Sequence, residues 1–414
     1  MSLIRIAVLA TGDELLNGSI SDTNTRDIAL LLGPAGYRLS TGRSVPDRPE
    51  QIVQALRQLI PHHDVIITTG GLGSTGDDLT AKTVAQALGR PLEENGKALE
   101  MIHKRYAEMG RELDPVVLRQ ALLPQKSVPL PNTEGTAPGF WLRQQGCDLF
   151  FLPGVPTEMR SMLKNAVIPA LQRNKPGAAP MLTRSFGFFG LSEPQIESRI
   201  PYANLPQDVA VGFSLDYPLV RISLRAASDN AENLLDSAEA LLVEQLGDYL
   251  VARGDETMAA HVGQLLRRAG INLSLAESCT GGLISQMLTS VAGASDFLAL
   301  SAITYADSAK IDCLGVDPDI IVTYGAVSAE CALAMAHGVR ARSRTDLSLA
   351  VTGIAGPDGG TDEKPVGTVF LALAAENVDQ VRCYQFKGER QKIQQMSSCM
   401  ALEWLRRFAI ESLN

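Results

Sequence analysis

Leu273-Ser274-Leu275-Ala276-Glu277-Ser278-Cys279-Thr280-Gly281-Gly282 is the stretch whose reading decides the fold. A short apolar run, fit for a buried strand, ends in a carboxylate, two hydroxyls, a thiol and two glycines. A helical pattern then runs from Leu283 to Val291. Strand, glycine turn and helix make the joint of an α/β sheet, where side chains at the strand's carboxyl end and helix-start amides meet ligands. The plainer reading of the ten residues is a joint capped by Ser278 or Thr280. The neighbouring stretches decide between the two.

Within residues 255–414 two more strands end in chemistry-bearing loops. Phe297–Thr304 runs into Tyr305-Ala306-Asp307-Ser308-Ala309-Lys310, and Leu347–Val351 into Thr352-Gly353-Ile354-Ala355-Gly356-Pro357-Asp358-Gly359-Gly360. Ser328 is a plausible N-cap for a helix over Ala329–Arg342, Thr368–Ala375 and Arg382–Phe386 predict a hairpin, and Gly388-Glu389-Arg390 opens a final helix. A serine nucleophile needs a base, and no histidine is positioned to serve Ser278. A lysine can do so, which singles out Lys310, with Tyr305 to relay a proton or hold the lysine. The amides of Gly281 and Gly282 are expected to stabilise an oxyanion. Singly, a lysine or arginine reads as a surface charge and Cys279 as a packing residue. Only the combination points to a site.

Residues 1–172 repeat the α/β alternation. Ile4–Leu9 and Val65–Thr69 are continuous apolar runs expected to form buried parallel strands, with a further strand at Tyr37–Val45 and helices after Asp22 and Pro49. The first strand runs into Thr11-Gly12-Asp13-Glu14. The loop Gly70-Gly71-Leu72-Gly73-Ser74-Thr75-Gly76-Asp77-Asp78-Leu79-Thr80 has phosphate-site chemistry: glycine amides that approach an anion, hydroxyl donors, and two carboxylates that tolerate the anion with a divalent cation between them. A tight turn with an Asp N-cap is the plainer alternative. It is not a P-loop, since no Gly-Lys-Ser/Thr follows. Asn132–Phe140 and Leu152-Pro153-Gly154 bring further glycine turns toward the same sheet edge.

Residues 173–254 open on a Pro/Gly/Ala-rich linker and then read β-α-β-β-α with a possible last strand, a small split-βαβ segment with no catalytic cluster. It reads as a spacer or dimerisation module, so a homodimer is the expected state. The predicted fold class is therefore α/β: two α/β domains with largely parallel sheets, joined by a small α+β domain. The net charge of −9 argues against a nucleic-acid partner. The six cysteines are scattered and the five histidines lack ligand spacing. No secretory pattern opens the chain and no apolar run approaches the ~20 residues of a membrane span. A cytoplasmic protein with reduced thiols is expected.

Gly12-Asp13-Glu14, Thr69-Gly70-Gly71-Leu72-Gly73, Asp77-Asp78 and Leu152-Pro153-Gly154 resemble the molybdopterin-binding fold family, and more closely the N-terminal domain of CinA-type (competence/damage-inducible) proteins. Ser74 stands where that family carries proline. The resemblance implies a pyrophosphatase that cleaves ADP-ribose to AMP and ribose 5-phosphate. It would use a divalent metal (Mg, Mn or Co) held by Asp77 and Asp78, with Glu14 a further candidate, and Gly70, Gly71, Gly73 and Thr75 against the substrate.

Ala276–Gly282, Thr304-Tyr305 with Lys310, Gly325-Ala326-Val327-Ser328, Gly353–Gly360 and Lys364–Thr368 are similar, in order, to the CinA C-terminal family. That resemblance implies hydrolysis of nicotinamide mononucleotide (NMN) to nicotinic acid mononucleotide and ammonia, with no cofactor. Ser278 would be the nucleophile and Lys310 its base, supported by Tyr305, Thr352 and Arg390, with Thr280, Gly281, Gly282, Gly353, Ala355 and Gly356 bordering the nucleotide. Asp307 and Ser308 replace an Asn-Glu pair. The added carboxylate favours a charged lysine, and loss of the glutamate acts in the opposite sense. Two rival readings are a nucleotide- or pterin-binding protein without turnover, linked to competence or recombination, and molybdopterin transfer chemistry in the first domain.

Overall fold

The computed structural model describes residues 4–73, 79–177 and 179–413. The chain gathers into two compact units. One runs through Leu182 and takes in Ala226–Glu232; the other is built from Thr183–Arg225 and from Asn233 onward.

The first unit contains β1 (Ile6–Thr11), β2 (Leu39–Val45), β3 (Val65–Thr69), β4 (Leu92–Glu94), β5 (Leu122–Pro124), β6 (Val128–Leu130), β7 (Gly139–Gln144) and β8 (Cys147–Leu152). Six of them form one sheet in the order β2-β1-β3-β8-β7-β6. The β2, β1, β3 and β8 strands run parallel, and β7 and β6 extend the sheet by antiparallel pairing. The apolar runs are buried along their whole length in β1, β3 and β8 because helices cover both faces. Ile6, Val8, Val65, Ile67 and Phe150 pack with Ile28, Leu32 and Met159 on one side. Ala7, Leu9, Ile66, Leu149 and Phe151 pack with Ile52, Leu56, Val84 and Ile102 on the other. That is the two-residue period of a strand, and truncating one such residue to alanine costs ~2–5 kcal/mol.

Local signals fixed several boundaries. Asp22 caps the helix Thr23–Leu32 by accepting from the Thr25 amide at 2.9 Å. The strand expected from Tyr37 begins at Leu39 instead, because Tyr37 turns into the core and its hydroxyl donates to the Lys175 carbonyl at 2.9 Å. The helix Gly96–Glu108 escaped the sequence reading, although Asn95 caps it by accepting from the Ala98 amide.

The second unit carries two sheets. β9 (Leu182–Phe188), β10 (Val209–Asp216), β11 (Leu219–Ala226) and β12 (Leu250–Arg253) form a four-stranded sheet in the order β10-β11-β9-β12. Helices Glu193–Glu197 and Ala231–Leu246 complete the β-α-β-β-α-β order. β13 (Leu273–Glu277), β14 (Leu298–Ile303), β15 (Leu347–Gly353), β16 (Thr368–Ala375) and β17 (Val378–Gln385) form the other, in the order β14-β13-β15-β16-β17. Its first three strands are parallel, while β16 and β17 form the expected antiparallel hairpin. β17 starts four residues earlier than its apolar pattern suggested. Asn377 adopts φ +61, a left-handed conformation that asparagine tolerates, and so closes a tight turn after Glu376.

One face of this sheet packs large side chains against helices Met258–Ala269 and Arg390–Leu413. The other presents Ala276, Ala350, Ala372 and Ala374 to the helix Ala329–Ser343. Ser328 is the N-cap of that helix, accepting from the Cys331 amide at 3.1 Å. No helix among the described residues is long and apolar enough to cross a membrane.

Candidate functional site

The parallel arrangement of β13, β14 and β15 brings three strand ends to one edge of the sheet. Ser278 follows β13, Tyr305 and Lys310 follow β14, and Thr352 is the penultimate residue of β15. With Arg390, the first residue of the last helix, they line a cleft of about 190 Å³ together with Cys279, Asp307, Ala326, Val327, Gly353 and Ala355. Residues 112 positions apart in sequence thus share one cavity, and no histidine lines it.

Lys310 is 1% exposed. Its Nζ donates to the carbonyls of Thr304 at 3.1 Å and Tyr305 at 3.2 Å, and stands 3.6 Å from Asp307 Oδ1. Two of the three positions on Nζ are thus committed to the chain, and one is left toward Asp307 and the cleft. Ser278 Oγ makes no hydrogen bond among the described residues; its backbone amide donates to Val351 O at 3.0 Å, pinning the turn to β15. Ser278 and Lys310 therefore share the cleft without a direct bond. The Arg390 guanidinium spans the mouth, donating from Nη1 to Gly356 O at 2.8 Å and from Nη2 to the Tyr305 hydroxyl at 2.7 Å. Tyr305 is 58% exposed, which suits a residue at an entrance. Thr352 Oγ1 donates to Ala326 O at 2.8 Å, so its hydroxyl braces the loop before Ser328. Burial pushes the Cys279 thiol up to about 12, which removes it as a competing nucleophile at neutral pH.

Three expected contacts fall elsewhere. Thr280, Gly281 and Gly282 do not line the cleft. The Gly281 amide donates to Ser278 O at 3.0 Å, and the Gly282 amide to Glu277 Oε2 at 3.1 Å. Thr280 Oγ1 also donates to Glu277 Oε2, at 2.7 Å. The two glycine amides expected to stabilise an oxyanion are thus already satisfied, Gly281 by a backbone carbonyl and Gly282 by a buried carboxylate. Glycine is still required at 282, where φ is +97 and a Cβ would sit 2.7 Å from Ile303 Cδ1. Glu277 was read only as part of the motif. Its position at the end of a wholly buried strand, facing a helix start, was the available signal.

The first unit has a larger cleft, of about 560 Å³, lined by Thr11, Glu14, Asp47, Gly70, Gly71, Leu72, Gly73, Gln120, Thr136, Ala137, Pro153, Gly154, Val155 and Glu158. The ends of β1, β3 and β8 and the turn after β2 all reach it, as a parallel sheet requires. Gly70 has φ +110, and a Cβ there would stand 2.5 Å from Thr11 O, so only glycine lets the chain pass. Glu14, Gly70, Gly71 and Gly73, singled out in the sequence, line this cleft. Thr75, Asp77 and Asp78 lie outside the described residues.

Two carboxylates were missed. Asp47 follows β2 and accepts from the Asp13 amide at 3.2 Å. Burial, with the neighbouring Glu14 and Asp13 charges, holds its carboxyl above the ordinary carboxylate range, against the pull of that amide. Glu158, in the first turn of the helix after β8, accepts from Asn132 Nδ2 at 2.7 Å. Val45-Pro46-Asp47 carried the strand-end signal. Glu158 became relevant only when its helix start met the glycine turns. Gln120 Oε1 is buried without a partner among the described residues, leaving an acceptor on the cleft wall.

Residues 255–409 match the CinA C-terminal domain family, and residues 7–173 the probable molybdopterin binding domain family. The CinA-like protein of Syntrophotalea carbinolica is 51% identical over 405 residues, spanning 98% of each chain. The chain belongs to the CinA family. A second CinA-like protein, from Geobacter sulfurreducens, is 44% identical over 408 residues, spanning 98% of this chain and 99% of its own. Among solved structures, competence/damage inducible protein CihA from Agrobacterium tumefaciens is 42% identical, covering 37% of this chain and 96% of its own with a TM-score of 0.34. The two clefts lie one in each matched domain: Thr11 to Glu158 within residues 7–173, and Ser278 to Arg390 within 255–409.

Proposed function

We propose that the smaller cleft hydrolyses the carboxamide of NMN. Ser278 Oγ attacks the amide carbon, Lys310 Nζ takes the serine proton and returns it to the departing ammonia, and water then releases nicotinic acid mononucleotide from the acyl-serine. The observation that carries this reading is the meeting of a buried serine and a buried lysine in one histidine-free cleft. Asp307 is largely exposed, and an arginine stays protonated, so Lys310 is the proton acceptor the cleft offers.

Size supports the same assignment. About 190 Å³ is below the ~300–1,000 Å³ of pockets that enclose a whole ligand. It suits a pyridine ring with its carboxamide, leaving ribose and phosphate at the mouth beside the Arg390 guanidinium. The test is ammonia release from NMN by the full chain, compared with Ser278→Ala and Lys310→Met. Undiminished release in both variants ends this reading.

For the larger cleft we propose metal-dependent cleavage of ADP-ribose to AMP and ribose 5-phosphate. Carboxylate oxygens from Glu14 and Asp47 are hard donors that fit a hard divalent cation, and a cation there would relieve the charge crowding around Asp47. A metal held there would neutralise a pyrophosphate and activate its phosphorus toward water, with Asp77 and Asp78, outside the described residues, as its further proposed ligands. The chain's own part is to cradle the phosphates with the glycine turns and to present Gln120. Metal-stimulated AMP formation is the measurement; a rate indifferent to metal rejects the assignment.

Binding without turnover is a second reading for the smaller cleft. The missing Ser278–Lys310 bond favours it, as does the tethering of Nζ to two carbonyls. Saturable NMN binding with no ammonia would select it.

A further inference from the structure

Glu277 is a buried carboxylate that the proposed chemistry does not use. It is 0% exposed, and no lysine, arginine or histidine pairs with it among the described residues. Instead it collects donors from one short segment. Oε2 accepts from Thr280 Oγ1 at 2.7 Å, the Gly282 amide at 3.1 Å and the Ile284 amide at 3.2 Å. Oε1 accepts from the Ser285 amide at 2.8 Å and from the Ser285 hydroxyl, which also meets Ser301 Oγ. A carboxylate left unsatisfied in a core is costly, and five donors meet that requirement while locking the turn around it.

The backbone of the same residue reaches the other side of the cleft. Glu277 O accepts from the Thr304 amide at 2.8 Å, and Thr304 O in turn accepts from Lys310 Nζ. One residue therefore braces the loop that carries Ser278 and the strand end that holds Lys310.

The turn is decided by what Glu277 consumes. The amides of Gly281, Gly282, Leu283, Ile284 and Ser285 all have acceptors. The amides of Cys279 and Thr280 reach no acceptor on another of the described residues, the Cys279 amide meeting only its own thiol, and Cys279 lines the cleft beside Ser278. Unpaired amides immediately after a nucleophile are the donors that bind a developing oxyanion.

We propose that Glu277 is a positioning residue: by binding the helix-start donors from Thr280 to Ser285 it aims Ser278 and leaves the Cys279 amide, on the cleft wall, to hold the oxygen of the substrate carbonyl. This rests on the amidase reading for its role in turnover.

The test is Glu277→Gln in the full chain. The amide keeps the volume but turns an NH₂ toward donors on one side. The expected result is a fall in kcat for ammonia release of ~100-fold or more, the size of losing an oxyanion donor, with KM within about threefold. A merely structural role would not split kcat from KM in this way. An unchanged kcat, or a rise in KM alone, overturns the proposal.

Amide hydrogen exchange on the unsubstituted chain decides the matter if the variant does not fold, and it does not depend on the substrate. Slow exchange at Gly282, Ile284 and Ser285 with fast exchange at Cys279 and Thr280 is expected; the reverse pattern refutes the assignment. Absence of ammonia from the unsubstituted chain would refute the amidase reading by itself, with the exchange pattern still judging the arrangement of the turn.

Discussion

The two clefts are built from the same local device and equipped for different chemistry. Each sits where parallel strands end in glycine turns. The first, of about 560 Å³, is walled by backbone and by Glu14, Asp47 and Glu158. The second, of about 190 Å³, holds a serine, a lysine and an arginine with one exposed carboxylate. A wide anionic cleft suits a phosphoanhydride with a cation, whereas a narrow one with a buried serine and lysine suits a planar amide. The sheet edge supplies location in both, and the side chains supply chemistry.

The largest effect should come from separating the two. Ser278→Ala is expected to lower ammonia release from NMN by about 10⁴-fold or more, as removal of a nucleophile does, while AMP formation from ADP-ribose stays unchanged. Loss of both activities together would break the assignment of one chemistry to each cleft. A chelator should do the converse: it abolishes AMP formation, restored by added divalent metal, and leaves ammonia release intact. Ammonia release that needs metal would contradict the cofactor-free mechanism.

Arg390→Ala sharpens the picture of the smaller cleft. It removes both the brace to Gly356 O and the contact to the Tyr305 hydroxyl. We expect kcat/KM for NMN to fall by ~10–100-fold, carried mainly by KM, because loss of a charge-assisted bond costs ~1.5–3 kcal/mol. A pure kcat effect would place the arginine in the chemical step.

The smallest effect concerns stability. Burial holds the His261 imidazole below its ordinary value of 6.5, against the raising influence of Glu256. The folded state therefore binds this proton less readily than the unfolded chain. The contribution is present in full above the unfolded value and is lost as pH falls from there through the lowered folded value. His261→Gln should flatten the fall in unfolding midpoint between pH 7 and 5, measured by calorimetry. A slope unchanged from the parent would remove His261 from the pH response.

Much of this molecule was legible in its residues. The buried runs of β1, β3, β13 and β15 declared themselves because a strand covered on both faces must be apolar throughout. Asp22 and Ser328 marked helix starts because their side chains satisfy amides that a helix leaves unpaired. The glycine turns, and the identities of Ser278, Lys310, Tyr305, Thr352 and Arg390, also stood out in the sequence.

What tertiary structure alone decided was who meets whom. Ser278 and Arg390 share a cavity only because the strand order β14-β13-β15 and the last helix bring them together. Asp47 and Glu158 became cleft residues for the same reason. The role of Gly281 and Gly282 was misread because periodicity and composition report burial, not hydrogen-bond partners. Competition among acceptors for a few amides is settled by distance, and at Gly282 the buried carboxylate of Glu277 holds the nearer place.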